Sequence, residues 1–189
     1  IADVSTYVQS GDILDKEARH RGNSVYLPGT VIPMLPEALS NGLCSLHPHE
    51  DRACLAVEMV IDSAGNKQSH RFFQALIRSS ARLTYTLVQQ VIEGSLDEAD
   101  CKVTPGTLHH LIGAFRTLHK SRNRRGTLNL NLSEARIQFD ETGQPVSVTE
   151  HHQEEAHQLI EEFMIAANIC AAETLEQAGE SCVYRIHDQ

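Results

Sequence analysis

A chain of 189 residues with 41% hydrophobic content can bury one full core, and nowhere does it approach the roughly 20 consecutive apolar residues of a membrane span. Its formal net charge of −9 excludes a surface that is basic all over, so a polyanion would have to meet a local basic patch. Five cysteines, odd in number and without a C-x-x-C pair, argue against a disulfide framework or zinc ribbon and read as reduced thiols, mostly in the core.

Ile1 to Val8 (IADVSTYV) reads as a strand. Ser10-Gly11 makes a turn, and Asp12 caps a helix through Arg21, with Asp15 and Arg19 at i, i+4 spacing and Gly22 past the last turn. Arg21 to Leu46 then concentrates residues that fix a backbone path. Pro28, Pro33 and Pro36 lock φ, Gly22, Gly29 and Gly42 permit tight bends, and Tyr26, Met34, Leu35, Leu39, Leu43 and Leu46 supply apolar anchors. The expectation is a structured loop, with a short helix over Glu37 to Ser40 that Asn41-Gly42 ends. Such a loop positions side chains for a ligand; a proline-rich core crossing fits the composition equally well.

Leu55 to Ile61 and Arg71 to Ile77 are β-prone runs joined by a turn at Asp62 to Asn66. Thr84 caps a helix carrying Leu87, Val88, Val91 and Ile92 on one face and ending at Gly94, which sets Tyr85 at the helix entrance. Ser95 to Val103 reads as loop. Thr104-Pro105 opens a helix with Leu108, Leu111, Ile112, Phe115 and Leu118 at helical spacing, running to Gly126. Thr127 to Leu132 alternates as a strand, and Arg136 to Phe139 and Val146 to Val148 flank a turn at Glu141 to Gly143. A last helix from about Gln153 to Ala178 turns Ile160, Phe163, Met164, Ala167 and Ala171 inward, and Val183 to Ile186 reads as a closing strand. The fold class is α+β, with mixed or antiparallel sheet and packed helices in one domain over 1–189.

On that last helix His157, Glu161 and Asn168 fall on one flank of the apolar stripe, while Glu162 points about a third of a turn farther away. A polar flank beside a core suits a site, but on the residues alone ordinary boundary residues are the more common case. Tyr26 and Tyr85 lie at loop-to-element junctions, where a ring can face a groove and stack on any base, or pack in the core. Arg116, Lys120, Arg122, Arg124 and Arg125 crowd five of the 16 basic residues into ten positions, as a polyanion contact or as cations against a helix C-terminus. His47-Pro-His49, His109-His110 and His151-His152 lack partners at structural-zinc spacing, so no metal ligand is expected.

Asp15 to Leu46, together with Ser80 to Tyr85 (SARLTY) and Ala156 to Ala171 (AHQLIEEFMIAANICA), closely resembles the catalytic RNB domain of the ribonuclease II and ribonuclease R family, and Arg185 to Asp188 (RIHD) resembles the ribonuclease R branch. The resemblance implies part of a processive, Mg²⁺-dependent exoribonuclease that releases 5′-mononucleotides from the 3′ end of single-stranded RNA in the cytoplasm. It implies Glu161 as an active-site carboxylate, Tyr26 as clamp of the terminal base and Tyr85 as an RNA contact. Leu130 falls where the family usually places the phenylalanine of the opposite jaw; His157, Asn168, Arg124 and Arg125 are further candidates.

The family's aspartate-rich metal segment would precede Ile1 and its arginine motif would follow Asp188, while Asp3, Asp12, Asp15 and Asp51 match none of it. These residues alone are therefore expected to be inactive and to bind no Mg²⁺, with flanking OB-type RNA-binding domains outside them. No membrane or obligate protein partner is expected. Two other readings remain, a module that binds single-stranded RNA or a protein without cutting, and a purely structural domain that would bury Tyr26 and Tyr85.

Overall fold

The computed structural model describes residues 1–127, 134–140 and 142–184, and these hold four α-helices and three two-stranded antiparallel hairpins. The α+β class stands. Helix α1 (Ile13–Arg21) starts where Asp12 accepts from the Asp15 amide at 2.7 Å and stops at left-handed Gly22, and Asp15 pairs with Arg19 at 3.2 Å. The predicted strand over Ile1 to Val8 does not form. Ile1 to Asp3 lie along strand β3 (Asp51–Ile61), but buried Asp3 then accepts from the Ser5 amide and hydroxyl and from the Gln74 amide, bending Val4–Thr6 into a 3₁₀ turn. A local side-chain acceptor has outcompeted the β ladder.

The proline-rich stretch is a structured loop, built around a hairpin of β1 (Val25–Leu27) and β2 (Thr30–Ile32) in which Tyr26 pairs with Val31. Arg21 Nη1 donates to the Pro33 carbonyl at 3.0 Å, and Ser24 Oγ accepts from the Met34 amide at 3.0 Å, closing its base. The short helix runs later than expected, as a π-turn over Ala38–Leu43, because Gly42 stays out of the left-handed region and does not end it.

Strands β3 and β4 (Lys67–Arg78) form the longest hairpin, closed by Asp62, which accepts from the amides of Ala64 and Asn66 at 2.9 Å each. It outruns its apolar segments because Asp51 and Arg78 pair across its open end at 2.7 Å. Its tip rests on helix α3 (Thr107–Arg124). Gly65, at φ +82°, comes so close that a Cβ there would lie 2.6 Å from the Thr117 carbonyl oxygen, and Arg124 donates to the Ala64 carbonyl.

Helix α2 (Tyr85–Ile92) is capped by Thr84 as its sequence predicts. Helix α3 begins after Gly106 and not at Thr104, because Glu98, from a 3₁₀ turn inside the expected loop, caps it by accepting from the amides of Leu108 at 2.6 Å and Gly106 at 3.2 Å. Leu108, Ile112 and Phe115 of α3 meet Leu159 of α4 (Glu155–Gln177) and Cys101 in the buried cluster, with Leu87, Val91 and Phe163 against it. Cys54, Cys101 and Cys170 are buried.

The inward face of α4 differs from the predicted one. Ala156, Leu159, Glu162 and Cys170 are buried, whereas Ile160 and Met164 are exposed, Met164 at 60%. The helix carries two apolar rows, and the partner helices select the one that also takes Glu162 inward. Strands β5 (Glu134–Phe139) and β6 (Pro145–His151) form the third hairpin. The predicted strand at 127–132 lies, from residue 128 onward and with Leu130, outside the described residues, as does the segment from 185; Thr127, Val183 and Tyr184 lie in no strand.

Candidate active site

Near its C-terminal end, α3 turns His119 and Arg122, at i, i+3 spacing, toward α4. There the adjacent carboxylates Glu161 and Glu162 meet them. Arg122 Nη1 donates to Glu161 Oε1 at 2.8 Å and to Glu162 Oε1 at 3.1 Å, and His119 Nδ1 lies 3.0 Å from the same Glu162 oxygen. Gln153 Nε2 donates to the other oxygen of Glu161 at 2.8 Å. Glu162 is 4% exposed and Glu161 half-buried. The hydrogen bond from Arg122 pulls the Glu161 carboxyl below its ordinary range, against the effect of burial and with help from Gln153, so it is ionised at neutral pH and acts only as an acceptor. Burial works against the Arg122 charge, and the bonds to Glu161 and Glu162 outweigh it, holding its pKa up.

This corrects the helical-wheel reading. Glu162 does not lie a third of a turn farther from the core than Glu161; the two share one guanidinium, and Glu162 is the more buried. His119 and Gln153 were not singled out from the sequence, and Arg122 was noted only within the basic run, as a polyanion contact or a cation against the helix C-terminus. The available signal was the adjacent glutamates themselves, since two like charges on a helix bordering a core require a cation from elsewhere.

The remaining candidates are spread around this cluster. The Tyr85 ring is 47% exposed and stacks on His157, centroids 4.1 Å apart and planes 19° from parallel. Beside it opens a groove of about 460 Å³ lined by Arg82, Val88, Leu111 and Ile160, among others. Tyr26 sits on the β1–β2 hairpin, away from the α3–α4 cluster, 78% exposed. Both rings are exposed and not buried in the core. Arg125 lines a second cleft, about 250 Å³, with Lys67, Glu162 and Glu173, while Arg124 holds the hairpin tip at Ala64. Asn168 is exposed on α4, seven residues or about 10 Å of helix beyond Glu161. Among the described residues no group of three or more His, Cys, Asp or Glu gathers to hold a metal ion, and no helix is long and apolar enough to cross a membrane.

The family model described as the RNB domain matches residues 1–189. Ribonuclease R of Escherichia coli is 44% identical over 191 residues, which take in 100% of this chain and 23% of that protein. Ribonuclease R of Aquifex aeolicus is 42% identical over 191 residues, again 100% of this chain and 27% of the relative. The solved structure of Mycoplasma genitalium RNase R in complex with ribose-methylated single-stranded RNA superposes with a TM-score of 0.92 at 33% identity, covering 100% of this chain and 29% of that one. This chain spans about a quarter of the length of the curated relatives it matches. On a family match over all 189 residues, this chain belongs to the RNB-domain family, with ribonuclease R among its relatives.

Proposed function

We propose that this chain forms part of a Mg²⁺-dependent, processive 3′-to-5′ exoribonuclease acting on single-stranded RNA in the cytoplasm and releasing 5′-mononucleotides. The observation that carries this reading is the match to ribonuclease R over every residue of the chain, which extends to a relative solved with single-stranded RNA. The geometry supports it. Tyr26, free of the core on a braced hairpin, stacks on the terminal base. Tyr85, backed by His157, offers its outer face to a neighbouring one. Such stacks are worth about 1–3 kcal/mol each and read no sequence, as an enzyme that accepts any RNA requires. Glu161, ionised and held at both oxygens, accepts a hydrogen bond from the attacking water or the terminal sugar and so orients the scissile end.

The residues here do not fit a resident magnesium site. Glu161 and Glu162 are engaged by Arg122, His119 and Gln153, and among the described residues no third carboxylate joins them. No step of this reading runs through the ion, whose carboxylates would lie outside the described residues.

The test uses the full-length enzyme with end-labelled single-stranded RNA and Mg²⁺. Tyr26→Ala should weaken binding, and Glu161→Ala should slow hydrolysis about 10²-fold with RNA affinity near wild type. Unchanged turnover in Glu161→Ala would remove that residue from the site. The same lack of a gathered metal set favours a second reading, a module that holds RNA or a protein without cutting it. RNA bound by the full-length protein but never shortened would select that one.

A further inference from the structure

Resting on the reading that Glu161 acts on the RNA end, we infer that Arg122 is a positioning residue: it fixes the Glu161 carboxylate by yoking it to the buried Glu162, and His119 and Gln153 complete the brace. The yoke is a single nitrogen. Arg122 Nη1 reaches Oε1 of Glu161 at 2.8 Å and Oε1 of Glu162 at 3.1 Å. A carboxylate that is 4% exposed must find its hydrogen-bond partners within the protein. Glu162 finds them in two α3 side chains, Arg122 and His119, both about three-quarters buried, which anchors the guanidinium in turn. Glu161 is thereby held from α3 at one oxygen and from Gln153, ahead of α4, at the other.

A carboxylate gripped from two elements has little rotamer freedom left to lose when substrate arrives, which is how preorganisation lowers a barrier. Glu162 is the anchor and Glu161 the working group. The cluster uses an arginine because the planar guanidinium fixes the directions of its N–H bonds, so that one Nη1 can hold two acceptors in set geometry, whereas a lysine ammonium is a mobile point charge. A plain strap between α3 and α4 would look similar in the fold. It differs in what it does to turnover.

The experiment measures single-turnover hydrolysis and RNA affinity in the full-length enzyme for Arg122→Ala, Arg122→Lys, Glu161→Ala and the double variant Arg122→Ala/Glu161→Ala. Arg122→Ala should slow hydrolysis by about 10- to 100-fold while RNA affinity stays within about threefold, and Arg122→Lys should recover part of the loss. The double variant should be no slower than Glu161→Ala alone, because Arg122 acts through Glu161. If Arg122→Ala fails to fold, Arg122→Ala/Glu162→Gln, which removes the buried charge together with its counter-charge, takes its place. Wild-type turnover in an Arg122 variant, with only a lower melting temperature, would reduce the residue to a strap and overturn the inference. Independent losses that multiply in the double variant would overturn it equally. Wild-type turnover in Glu161→Ala would instead sink the functional reading on which it rests, so the two failures are distinct.

Discussion

The α2–α3–α4 packing and the β1–β2 hairpin are both rich in apolar side chains and end in opposite states. In the helices, Leu108, Phe115 and Leu159 are buried almost completely. In the hairpin, Val25, Tyr26, Leu27, Val31 and Ile32 are all exposed. Amphipathic helices bring their own partners, since each apolar row covers another. A hairpin with three residues per strand covers nothing, and its shape comes from Pro28-Gly29, from Arg21 on the Pro33 carbonyl and from Ser24 on the Met34 amide. Stability and presentation are thus assigned to different parts of the chain.

The sharpest way to break this contrast is to empty the helical side. Phe115→Ala should cost about 3–5 kcal/mol in urea unfolding, since the residue is 1% exposed in the buried cluster. A loss under about 1 kcal/mol would show that the core lies elsewhere. Glu162→Ala should cost about 1.5–3 kcal/mol, because it strips Arg122 and His119 of a buried charged acceptor. Equal stability of Glu162→Ala and wild type would mean the carboxylate is not needed to hold α3 to α4.

A smaller effect comes with acid. The Glu161 pKa is depressed below its ordinary 4.5, chiefly by Arg122, so its contribution to stability is present above that value and fades as pH falls through the folded-state one. Asp3, Asp15 and Asp62 are depressed too and form a common background. Melts taken downward from pH 6 should therefore show a shallower acid loss in Arg122→Ala than in wild type; parallel curves would separate Glu161 from Arg122. The smallest effect belongs to the hairpin. Tyr26→Ala should leave stability within about 0.5 kcal/mol while weakening RNA binding. A cooperative loss of stability would instead join the hairpin to the core.

What the sequence made legible was local. Asp12 and Thr84 cap helices within a few residues of themselves, Asp62 closes its own turn, and Leu108, Ile112 and Phe115 repeat with the period of the helix they bury. Where the deciding partner is remote, the reading failed. Asp3 leaves its strand partly for Gln74, Glu98 starts α3 from across a loop, and α4 rotates so that Glu162 can meet a guanidinium on α3. The same division runs through the candidate site. Tyr26 and Tyr85 were legible as rings at junctions, and both are exposed there. The wheel placed Glu161 at a core boundary but, having no knowledge of Arg122, sent Glu162 the wrong way.

The seat of the β3–β4 tip on α3 also bears on how the chain assembles during synthesis. A hairpin zips within roughly 1–10 μs once both strands exist, and at about 5–20 residues per second the ribosome delivers Thr117 and Ser121 several seconds after Gly65. The hairpin is therefore complete before its seat on α3 exists, with Ile1 to Asp3 already lying along β3. For that interval the nascent chain carries a two-stranded ribbon without a seat, and the glycine at its tip lets docking proceed as soon as the helix turns past Ser121.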